Sequence, residues 1–298
     1  MEKIMLGNTL SVSKIGLGAI NFGTKTAEEQ AFTLLDEYVN LGGNFIDTAN
    51  NYAVWNGGDG GESERTIGKW LNQSKQREHV VLATKLGALT TGSDTQGLSQ
   101  MEGLGRETMR RSVERSLNHL QVSSIDLLYL HVDDFSTPQE EVMGTLAGFV
   151  EEGIVKEIGC SNFYSWRLES ARQICEQHGW PFFCALQQRH SYLAPVSDAE
   201  LYPQVALNED MKSYLNHHKA LKLVAYSPML RGQYSTSDIK IPAYDTAGNR
   251  EKLARLLAEE KQPNRWVLDY LTQEFGGSIA LVTTSSTAHL REVMSEEA

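Results

Sequence analysis

Eight short apolar runs of strand length recur along this chain of 298 residues, and segments of helical period separate them. The runs occupy 14–23, 43–49, 80–87, 125–131, 155–162, 182–189, 221–228 and 279–284. Strands that alternate with helices form parallel sheets, because a parallel connection needs a crossover segment. Eight such units close a barrel, so we predict an α/β protein with a (β/α)8 TIM barrel that forms one domain over 1–298.

The connecting segments refine this prediction. Helical periods cover 27–40, 62–71, 106–120, 138–152, 166–178 and 287–297, with Pro138 and Gly179 at positions typical of a helix start and a helix end. An N-terminal β-hairpin, with its turn at Gly7 and Asn8, can plug the bottom of the barrel. Three long segments after strands, 50–61, 86–104 and 229–249, are predicted to be loops on the active-site face.

Composition limits the classes of partner. The net charge is -11, whereas binding to nucleic-acid phosphates relies on clustered Lys and Arg, so we expect no nucleic-acid partner. No apolar stretch approaches the roughly eighteen residues of a membrane span, and the N-terminus lacks the core of a signal peptide, so we expect a cytoplasmic protein without membrane association. The widely spaced Cys160, Cys175 and Cys184 indicate buried thiols rather than a disulfide framework or a metal site.

Ionisable side chains stand at or just beyond the ends of three successive runs. Asp47 ends NFID, Lys85 ends VVLATK and His131 ends IDLLYLH, while Tyr52 follows Asp47 by five positions. Taken singly, each has a plainer interpretation, such as a turn residue, a solvated lysine or a ring at the edge of the core. Because the carboxyl ends of barrel strands share one face, their common placement favours a single site.

The four residue types suit proton transfer to a reduced carbonyl. A tyrosine hydroxyl has a reference pKa of about 10, so a neighbouring ammonium must stabilise its phenolate before it donates a proton easily at neutral pH. Lys85, held by Asp47, can do this for Tyr52, and His131 can orient a carbonyl oxygen by a hydrogen bond. Such a site would protonate the alkoxide that forms when hydride reaches an aldehyde or a ketone.

Motifs through essentially the whole chain resemble the aldo-keto reductase family. They are GLGAINFG at 16, GGNFIDTANNYA at 42, GESERTIGKWL at 61, VVLATKLG at 80, SIDLLYLH at 124, KEIGCSNF at 156, AYSPMLRG at 225 and TTSSTAHLRE at 283. The resemblance implies that Asp47, Tyr52, Lys85 and His131 form the family's catalytic tetrad, with Tyr52 as the general acid. It also implies a nicotinamide dinucleotide bound without a Rossmann domain, and no strand here is followed by G-x-G-x-x-G.

The resemblance also implies where the cofactor would bind. Ser161, Asn162 and Gln187 would hold the carboxamide, since hydroxyl and amide groups suit its mixed donors and acceptors. Ala19 would lie near the nicotinamide ring, and His190 stands where we expect the family's stacking Tyr. Further implied contacts are Ser227, Pro228, Leu230 and Gly232 at the pyrophosphate, and Thr283, Thr284, Ser286, His289 and Glu292 at the adenosine end.

The adenosine end departs from the family pattern. Many members carry a Lys and an Arg that grip the 2'-phosphate and an Asn that contacts adenine, whereas Thr283, His289 and Val293 stand at these places. Nearby hydroxyls and Arg291 remain, so NADP is the expected cofactor, with a weakened preference over NAD. No metal is expected.

The predicted function is NADPH-dependent reduction of a small-molecule aldehyde or ketone. Phe22 and Trp55, together with His131, are expected to line the substrate pocket, with core packing as the alternative for the two aromatic residues. Two other functions stay open: a nicotinamide-binding regulatory subunit, and a sugar or polyol dehydrogenase that acts oxidatively.

Overall fold

The computed structural model of the protein describes residues 1–90 and 100–295. Its strands are β1 (Lys3–Leu6), β2 (Leu10–Ser13), β3 (Ile15–Gly18), β4 (Phe45–Asp47), β5 (Val81–Leu86), β6 (Ile125–Leu130), β7 (Val155–Ser161), β8 (Ala185–Arg189), β9 (Lys222–Tyr226) and β10 (Ile279–Val282). Its α-helices are α1 (Glu28–Asn40), α2 (Glu62–Ser74), α3 (Arg106–Leu120), α4 (Gln139–Glu151), α5 (Ser165–His178), α6 (Glu209–His217), α7 (Ala247–Glu259), α8 (Pro263–Gln273) and α9 (Thr287–Met294).

Strands β3 to β10 pair in parallel and close on themselves, β10 lying beside β3. Over the described residues, this closed set is the eight-stranded barrel that the sequence predicts, so the (β/α)8 fold is confirmed. The predicted hairpin is also present, because β1 pairs antiparallel with β2. Its turn contains Thr9 as well as Gly7 and Asn8, since Leu6 pairs with Leu10.

The hairpin closes the amino-terminal end of the barrel. Leu6, Leu10 and Val12 are buried in one apolar cluster with the side chains that fill the barrel, among them Phe45 and Leu127. At the tip, Glu157 on β7 accepts hydrogen bonds from the backbone N–H of Asn8 and the hydroxyl of Thr9, both at 2.9 Å. The bottom of the barrel is therefore sealed by the chain's own residues, and a site can open only toward the carboxyl ends of the strands.

Alternation along the strands separates this interior from an outer layer. Leu128 and Leu130 on β6 face outward and pack with Met143 and Leu146 of α4 in a second apolar cluster. A third cluster joins β3 to α1, α2 and α9, with Trp70 almost completely buried. Strand residues are therefore apolar on both faces, as the continuous runs in the sequence predict.

Several predicted boundaries need correction. Helix α2 continues to Ser74, α9 ends at Met294, and α7 begins at Ala247 inside the segment predicted to be a loop over 229–249. Thr246 starts α7 there, because its hydroxyl accepts a hydrogen bond from the N–H of Asn249. The sequence interpretation also missed one long connection, 190–208, between β8 and α6.

The described parts of the long loops are held by hydrogen bonds and by buried side chains. In the predicted loop 86–104, residues 91–99 lie outside the described residues, but Glu102 accepts hydrogen bonds from Gly87 N at 2.7 Å, Asn50 Nδ2 at 2.8 Å and Ser112 Oγ at 2.6 Å. The loop after β9 contains short 3-10 helices at Gln233–Ser235 and Pro242–Tyr244, and its Tyr234 and Tyr244 are buried.

The helices and the three cysteines bear on the predictions about membrane spans and buried thiols. None of the helices within 1–90 and 100–295 combines the length and the apolar character needed to cross a membrane. The side chains of Cys160, Cys175 and Cys184 are all buried and free.

Candidate active site

Strand alternation brings the ionisable side chains to the inside of the barrel mouth. Lys85 has the same parity on β5 as Ala83, and Asp47 has the same parity on β4 as Phe45; both Ala83 and Phe45 lie in the barrel interior. His131 follows Tyr129, another interior residue, by two positions. The alternation along each strand thus directs these side chains to the barrel interior, and the closure of the barrel makes them neighbours.

Lys85 is the centre of the site. Its Nζ donates hydrogen bonds to Asp47 Oδ1 at 2.5 Å, to the carbonyl of Thr48 at 2.7 Å and to Tyr52 Oη at 2.8 Å. The Lys85 and Asp47 side chains are almost completely buried. All three ammonium protons therefore have partners, which is the condition under which a buried charge is tolerated.

Tyr52 reaches this ammonium from the turn after β4. The turn is fixed to β5, since Thr48 N donates to Ala83 O at 2.9 Å and Asn50 N donates to Lys85 O at 3.0 Å. Ala53 has φ of 89°, a strained conformation for a residue with a Cβ. Lys85 Nζ lies over the Tyr52 ring, 4.7 Å from the ring centroid. The Tyr52 ring also contacts the His131 ring edge to face, with 5.9 Å between the two ring centroids.

The pKa shifts follow from burial and from these contacts. Burial raises the pKa of Tyr52, and the Lys85 charge acts in the opposite direction. Burial opposes the charge on Lys85, but Asp47 and Tyr52 outweigh it and raise the pKa of that ammonium. The expectation that Lys85 lowers the tyrosine pKa is therefore right for the Lys85 contribution alone, while desolvation sets the net direction.

His131 is neutral in this environment. Burial, together with the Lys85 charge, holds the pKa of the imidazole well below its usual range. Among the described residues, its buried Nδ1 has no hydrogen-bond partner, while its backbone N–H donates to Leu86 O at 2.8 Å. A neutral imidazole carries one N–H and one bare nitrogen, so it can donate a hydrogen bond without bringing a second positive charge.

Gln187 completes the surroundings of Asp47. Its Nε2 donates to Asp47 Oδ2 at 2.8 Å, so the two carboxylate oxygens are taken by Gln187 and Lys85. Ser161, next to Gln187 in the β7–β8 register, is also buried at the barrel mouth. The structure therefore brings together Asp47, Tyr52, Lys85, His131, Ser161 and Gln187.

Tyr226, which the sequence interpretation missed, also belongs to this rim. It ends β9, and its hydroxyl donates to Asn162 Oδ1 at 2.8 Å. The signal was available, because Tyr226 is the last residue of an apolar run, as Asp47 and Lys85 are. His190, by contrast, turns toward Glu274, with Nε2 2.6 Å from Oε2, so its position does not support the expected role in stacking.

The loop after β9 has the backbone of a binding loop. Ser227, Leu230, Arg231 and Gly232 all have positive φ, which non-glycine residues adopt only where the surrounding structure enforces it. The carbonyl of Pro228 accepts a hydrogen bond from the Ser191 hydroxyl. The Leu230 side chain is buried.

The segment after β10 presents hydroxyls at the start of α9. Ser286 is the N-cap and accepts a hydrogen bond from His289 N, while Thr284 Oγ1 accepts one from Ser286 N at 3.0 Å. Thr283, His289 and Glu292 are exposed. Arg291 is committed elsewhere, because its Nε donates to Glu37 Oε1 on α1 at 2.6 Å.

Of the remaining predicted site residues, two are buried and one lies beside Tyr52. Phe22 is 1% exposed and packs in the cluster of β3, α1 and α2, so its burial favours core packing over a place in the substrate pocket. Ala19 is also fully buried. Trp55 is 38% exposed and contacts the Tyr52 ring edge to face at 6.0 Å, so it does stand beside the site.

Comparison with known proteins identifies the family of this chain. Residues 14–296 match the model of the Aldo/keto reductase family. An uncharacterized oxidoreductase of Bacillus subtilis (strain 168) is 35% identical over 255 residues, which cover 85% of this chain and 74% of that protein. Norsolorinic acid reductase B of Aspergillus parasiticus is 38% identical over 187 residues, 60% of this chain and 47% of that protein.

An aryl-alcohol dehydrogenase of Pestalotiopsis microspora is 34% identical over 203 residues, 65% of this chain and 51% of that protein. The chain thus spans about half the length of the two fungal relatives. With the family model covering nearly all of the barrel, and with relatives named as oxidoreductases, the chain belongs to the aldo/keto reductase family.

Proposed function

We propose that this protein reduces aldehydes and ketones with NADPH and that Tyr52 gives the proton to the substrate oxygen. The observation that carries this proposal is the position of Lys85 Nζ, 2.8 Å from Tyr52 Oη and 2.5 Å from Asp47 Oδ1. A buried ammonium in contact with a phenol stabilises the phenolate that remains after proton donation. Family membership supports an oxidoreductase, and the arrangement of these side chains supports this particular chemistry.

The residues at the barrel mouth fit a nicotinamide. Ser161 Oγ accepts one hydrogen bond and keeps its own proton for a ligand, and Gln187 can offer Oε1, since its Nε2 is used by Asp47. One donor and one acceptor match the carboxamide. Tyr226, fixed through its hydroxyl, offers its ring as a flat surface for the nicotinamide, in place of the expected His190.

The loop after β9 and the start of α9 fit an adenosine phosphate. The left-handed segment from Ser227 to Gly232 would line the pyrophosphate with its backbone, and the N-terminus of α9, with Thr284 and Ser286, would receive the 2'-phosphate. Asn264 Nδ2 donates to Ser235 Oγ and to Glu292 Oε1, while its buried Oδ1 has no partner within the described residues. That orphan acceptor suits a donor such as an adenine amine.

Each protein group has one task in the reaction. When bound, the nicotinamide would supply the hydride. His131 donates a hydrogen bond to the carbonyl oxygen and holds the carbonyl carbon in place. The O–H bond of Tyr52 breaks as its proton passes to the substrate oxygen, and Lys85 stabilises the phenolate until solvent returns a proton. Asp47 keeps Lys85 charged and pointing at Tyr52.

The state of Tyr52 favours reduction at neutral pH. Because burial raises the pKa of Tyr52, its hydroxyl carries a proton in this range and is ready to donate. The oxidative direction would need the phenolate as a base and should gain only at alkaline pH. We therefore place the sugar or polyol dehydrogenase second, and the regulatory subunit third.

We propose aryl aldehydes and aryl ketones as the substrate class. Trp55 presents a half-exposed indole at 6.0 Å from the Tyr52 ring, so a flat substrate would meet an aromatic surface where its carbonyl approaches the hydroxyl. A relative named as an aryl-alcohol dehydrogenase supports the same class.

The test is a steady-state assay with the purified protein. NADPH oxidation is followed with benzaldehyde and with butanal, and Trp55→Ala serves as the matched variant. We expect turnover with both, a higher kcat/KM for the aryl substrate, and loss of that difference in Trp55→Ala. NADPH binding without turnover of any aldehyde or ketone would instead favour the regulatory subunit.

A further inference from the structure

We infer that Glu102 is a positioning residue that sets the distance between the Tyr52 hydroxyl and the Lys85 ammonium. Its carboxylate joins the turn that carries Tyr52 to the end of the strand that carries Lys85. Glu102 acts through these segments, because the hydrogen bonds of its carboxylate go to neighbours of the two reacting side chains. The inference rests on the proposed function, since it concerns the proton donor of that reaction.

One oxygen of the Glu102 carboxylate holds both segments. Oε1 accepts hydrogen bonds from Gly87 N at 2.7 Å and from Asn50 Nδ2 at 2.8 Å. Gly87 lies two residues after Lys85, and Asn50 lies two residues before Tyr52. A single atom therefore connects the two segments, and a shift of either segment away from the other would stretch one of these hydrogen bonds.

The side chain of Asn50 depends on this carboxylate. Asn50 is fully buried, and its Oδ1 has no hydrogen-bond partner within the described residues. In this part of the chain, the amide is held through Nδ2, which donates to Glu102. A buried amide without any partner is costly, so loss of the carboxylate should displace Asn50 and the turn to which it belongs.

The turn after β4 needs an anchor of this kind. Among the described residues, its last backbone hydrogen bond to β5 runs from Asn50 N to Lys85 O, at 3.0 Å. Beyond that bond, Ala53 has φ of 89° directly after Tyr52, and such strain persists only where the surrounding structure holds it. The hydrogen bond from the Asn50 side chain to Glu102 is one of the contacts that do so.

Glu102 is itself held in place by other elements. Its N–H donates to Leu89 O at 2.8 Å, and its second carboxylate oxygen accepts from Ser112 Oγ on α3 at 2.6 Å. Two residues later, Leu104 is buried, and its N–H donates to Asp134 Oδ2 in the loop after β6 at 2.9 Å. Because the carboxylate is fixed to these elements, it can fix the turn and the strand end in turn.

The contact that Glu102 protects is the one that supports proton transfer. Lys85 Nζ lies 2.8 Å from Tyr52 Oη, and small displacements of reacting groups have large effects on rate. If the turn moved away from β5, the phenolate left after proton donation would lose part of its stabilisation by the ammonium. The segments proposed to bind the nucleotide follow other strands, so NADPH binding should change little.

The experiment begins with substitutions at Glu102 in the full chain. Glu102→Ala removes all hydrogen bonds of the carboxylate. Glu102→Gln keeps its shape, because Oε1 can still accept from Gly87 and Asn50 while Nε2 donates to Ser112 Oγ. Glu102→Asp keeps the charge but is one methylene shorter, so it gives the same test as Glu102→Ala if the latter does not fold.

Two further positions supply the controls. Ser112→Ala is the matched control, since it removes the hydrogen bond to α3 and leaves both bonds at Oε1 of Glu102. Asn50→Ala is made alone and together with Glu102→Ala. Turnover is measured with benzaldehyde, the NADPH dissociation constant is measured by tryptophan fluorescence, and circular dichroism checks the fold of each variant.

We expect Glu102→Ala and Glu102→Asp to lose roughly tenfold or more in kcat and to bind NADPH within about threefold of the parent. Glu102→Gln and Ser112→Ala should keep kcat within about threefold, because both retain the hydrogen bonds to Gly87 and Asn50. In the Asn50→Ala background, Glu102→Ala should lower kcat by less than about threefold, because residues that act through each other are not additive.

Several results would overturn the inference and leave the proposed function intact. One is a kcat of Glu102→Ala or Glu102→Asp above about half of the parent value. Another is an equal loss in Glu102→Gln, since charge rather than position would then matter, or an equal loss in Ser112→Ala. Additive losses with Asn50→Ala, or NADPH binding weakened by about tenfold, would overturn it as well. A parent protein that binds NADPH but reduces no aldehyde or ketone would refute the proposed function, and this inference with it.

Discussion

Gln187 Nε2 donates a 2.8 Å hydrogen bond to Asp47 Oδ2, while Lys85 holds the other oxygen of the same carboxylate. The three side chains are buried, so Asp47 is satisfied entirely by its two partners at these oxygens. Burial raises the pKa of Asp47, and Lys85 and Gln187 act against that shift. Gln187 therefore contributes to keeping Asp47 ionised, which in turn keeps Lys85 charged beside Tyr52.

Gln187→Glu tests this contact without a change in side-chain size. The introduced carboxylate faces Asp47, and two adjacent carboxylates raise the pKa of one of them. The folded protein then binds more protons than the unfolded chain above the normal carboxylate pKa, so its stability should fall as pH rises. We expect urea unfolding to show a larger destabilisation at about pH 8 than at about pH 5; an equal effect at both values would contradict the contact.

Tyr52→Phe removes the hydroxyl and leaves the ring between Trp55 and His131. We expect kcat for benzaldehyde to fall by about a hundredfold to ten-thousandfold, the usual contribution of a general acid. NADPH binding, measured by tryptophan fluorescence, should stay within about twofold. A variant that keeps more than half of the parent kcat would refute the role of Tyr52.

Lys85→Met, compared with a double variant, separates the contribution of the Lys85–Asp47 ion pair to stability from the contribution of the ammonium to kcat. The substitution leaves Asp47 buried without its ion-pair partner, which should lower the free energy of unfolding by about 3–5 kcal/mol. Asp47→Asn in the same chain removes the stranded charge and should restore much of that stability, but kcat should remain low because no ammonium faces Tyr52. Thermal unfolding and turnover are measured on both variants; recovery of kcat in the double variant would exclude Lys85 as the phenolate partner.

His131 makes stability depend on pH in a defined direction. Its folded-state pKa is well below the ordinary value, so just below about pH 6.5 the unfolded chain binds a proton that the folded protein does not. Stability should therefore decline as pH falls through this range, by at most about 1.4 kcal/mol per pH unit from this one group.

Replacing the imidazole should remove that part of the decline. Urea unfolding of His131→Gln is compared with that of the parent from about pH 7.5 to 5.5, and we expect a shallower slope for the variant. Parallel slopes would mean that His131 is protonated normally in the folded protein.

Glu37 holds Arg291, a cation on α9, the helix whose N-terminus is the proposed 2'-phosphate site. Arg291 Nε donates to Glu37 Oε1, and the pair lies at the surface, so freeing the guanidinium is expected to be easy. We expect Glu37→Gln to increase the preference for NADPH over NADH by roughly twofold to fivefold, and Arg291→Ala to reduce it, because the 2'-phosphate gains or loses a nearby positive charge. Dissociation constants for both nucleotides are compared at low and at physiological salt. Tighter binding of NADH than of NADPH by the parent protein would refute NADP as the cofactor.

The sequence by itself determined the barrel and the direction of its ionisable side chains. Strand period and helix period are local properties, so the eight units could be counted before any contact was known. Parity along a strand then places Lys85 on the same side as Ala83, and parallel order places the end of each strand on one face. The convergence of Asp47, Lys85 and His131 follows from these two rules.

Only the tertiary structure decided what each side chain touches. Asn162 Oδ1 accepts from Val205 and Tyr226, which lie 43 and 64 positions away, and Gln187 reaches Asp47 across 140 positions. His190 turns to Glu274 for the same kind of reason, since the residue that follows α8 packs beside the residue that follows β8. Hydrogen-bond partners depend on packing between distant segments. The type of a residue shows which donors and acceptors it has, but not which partner it meets.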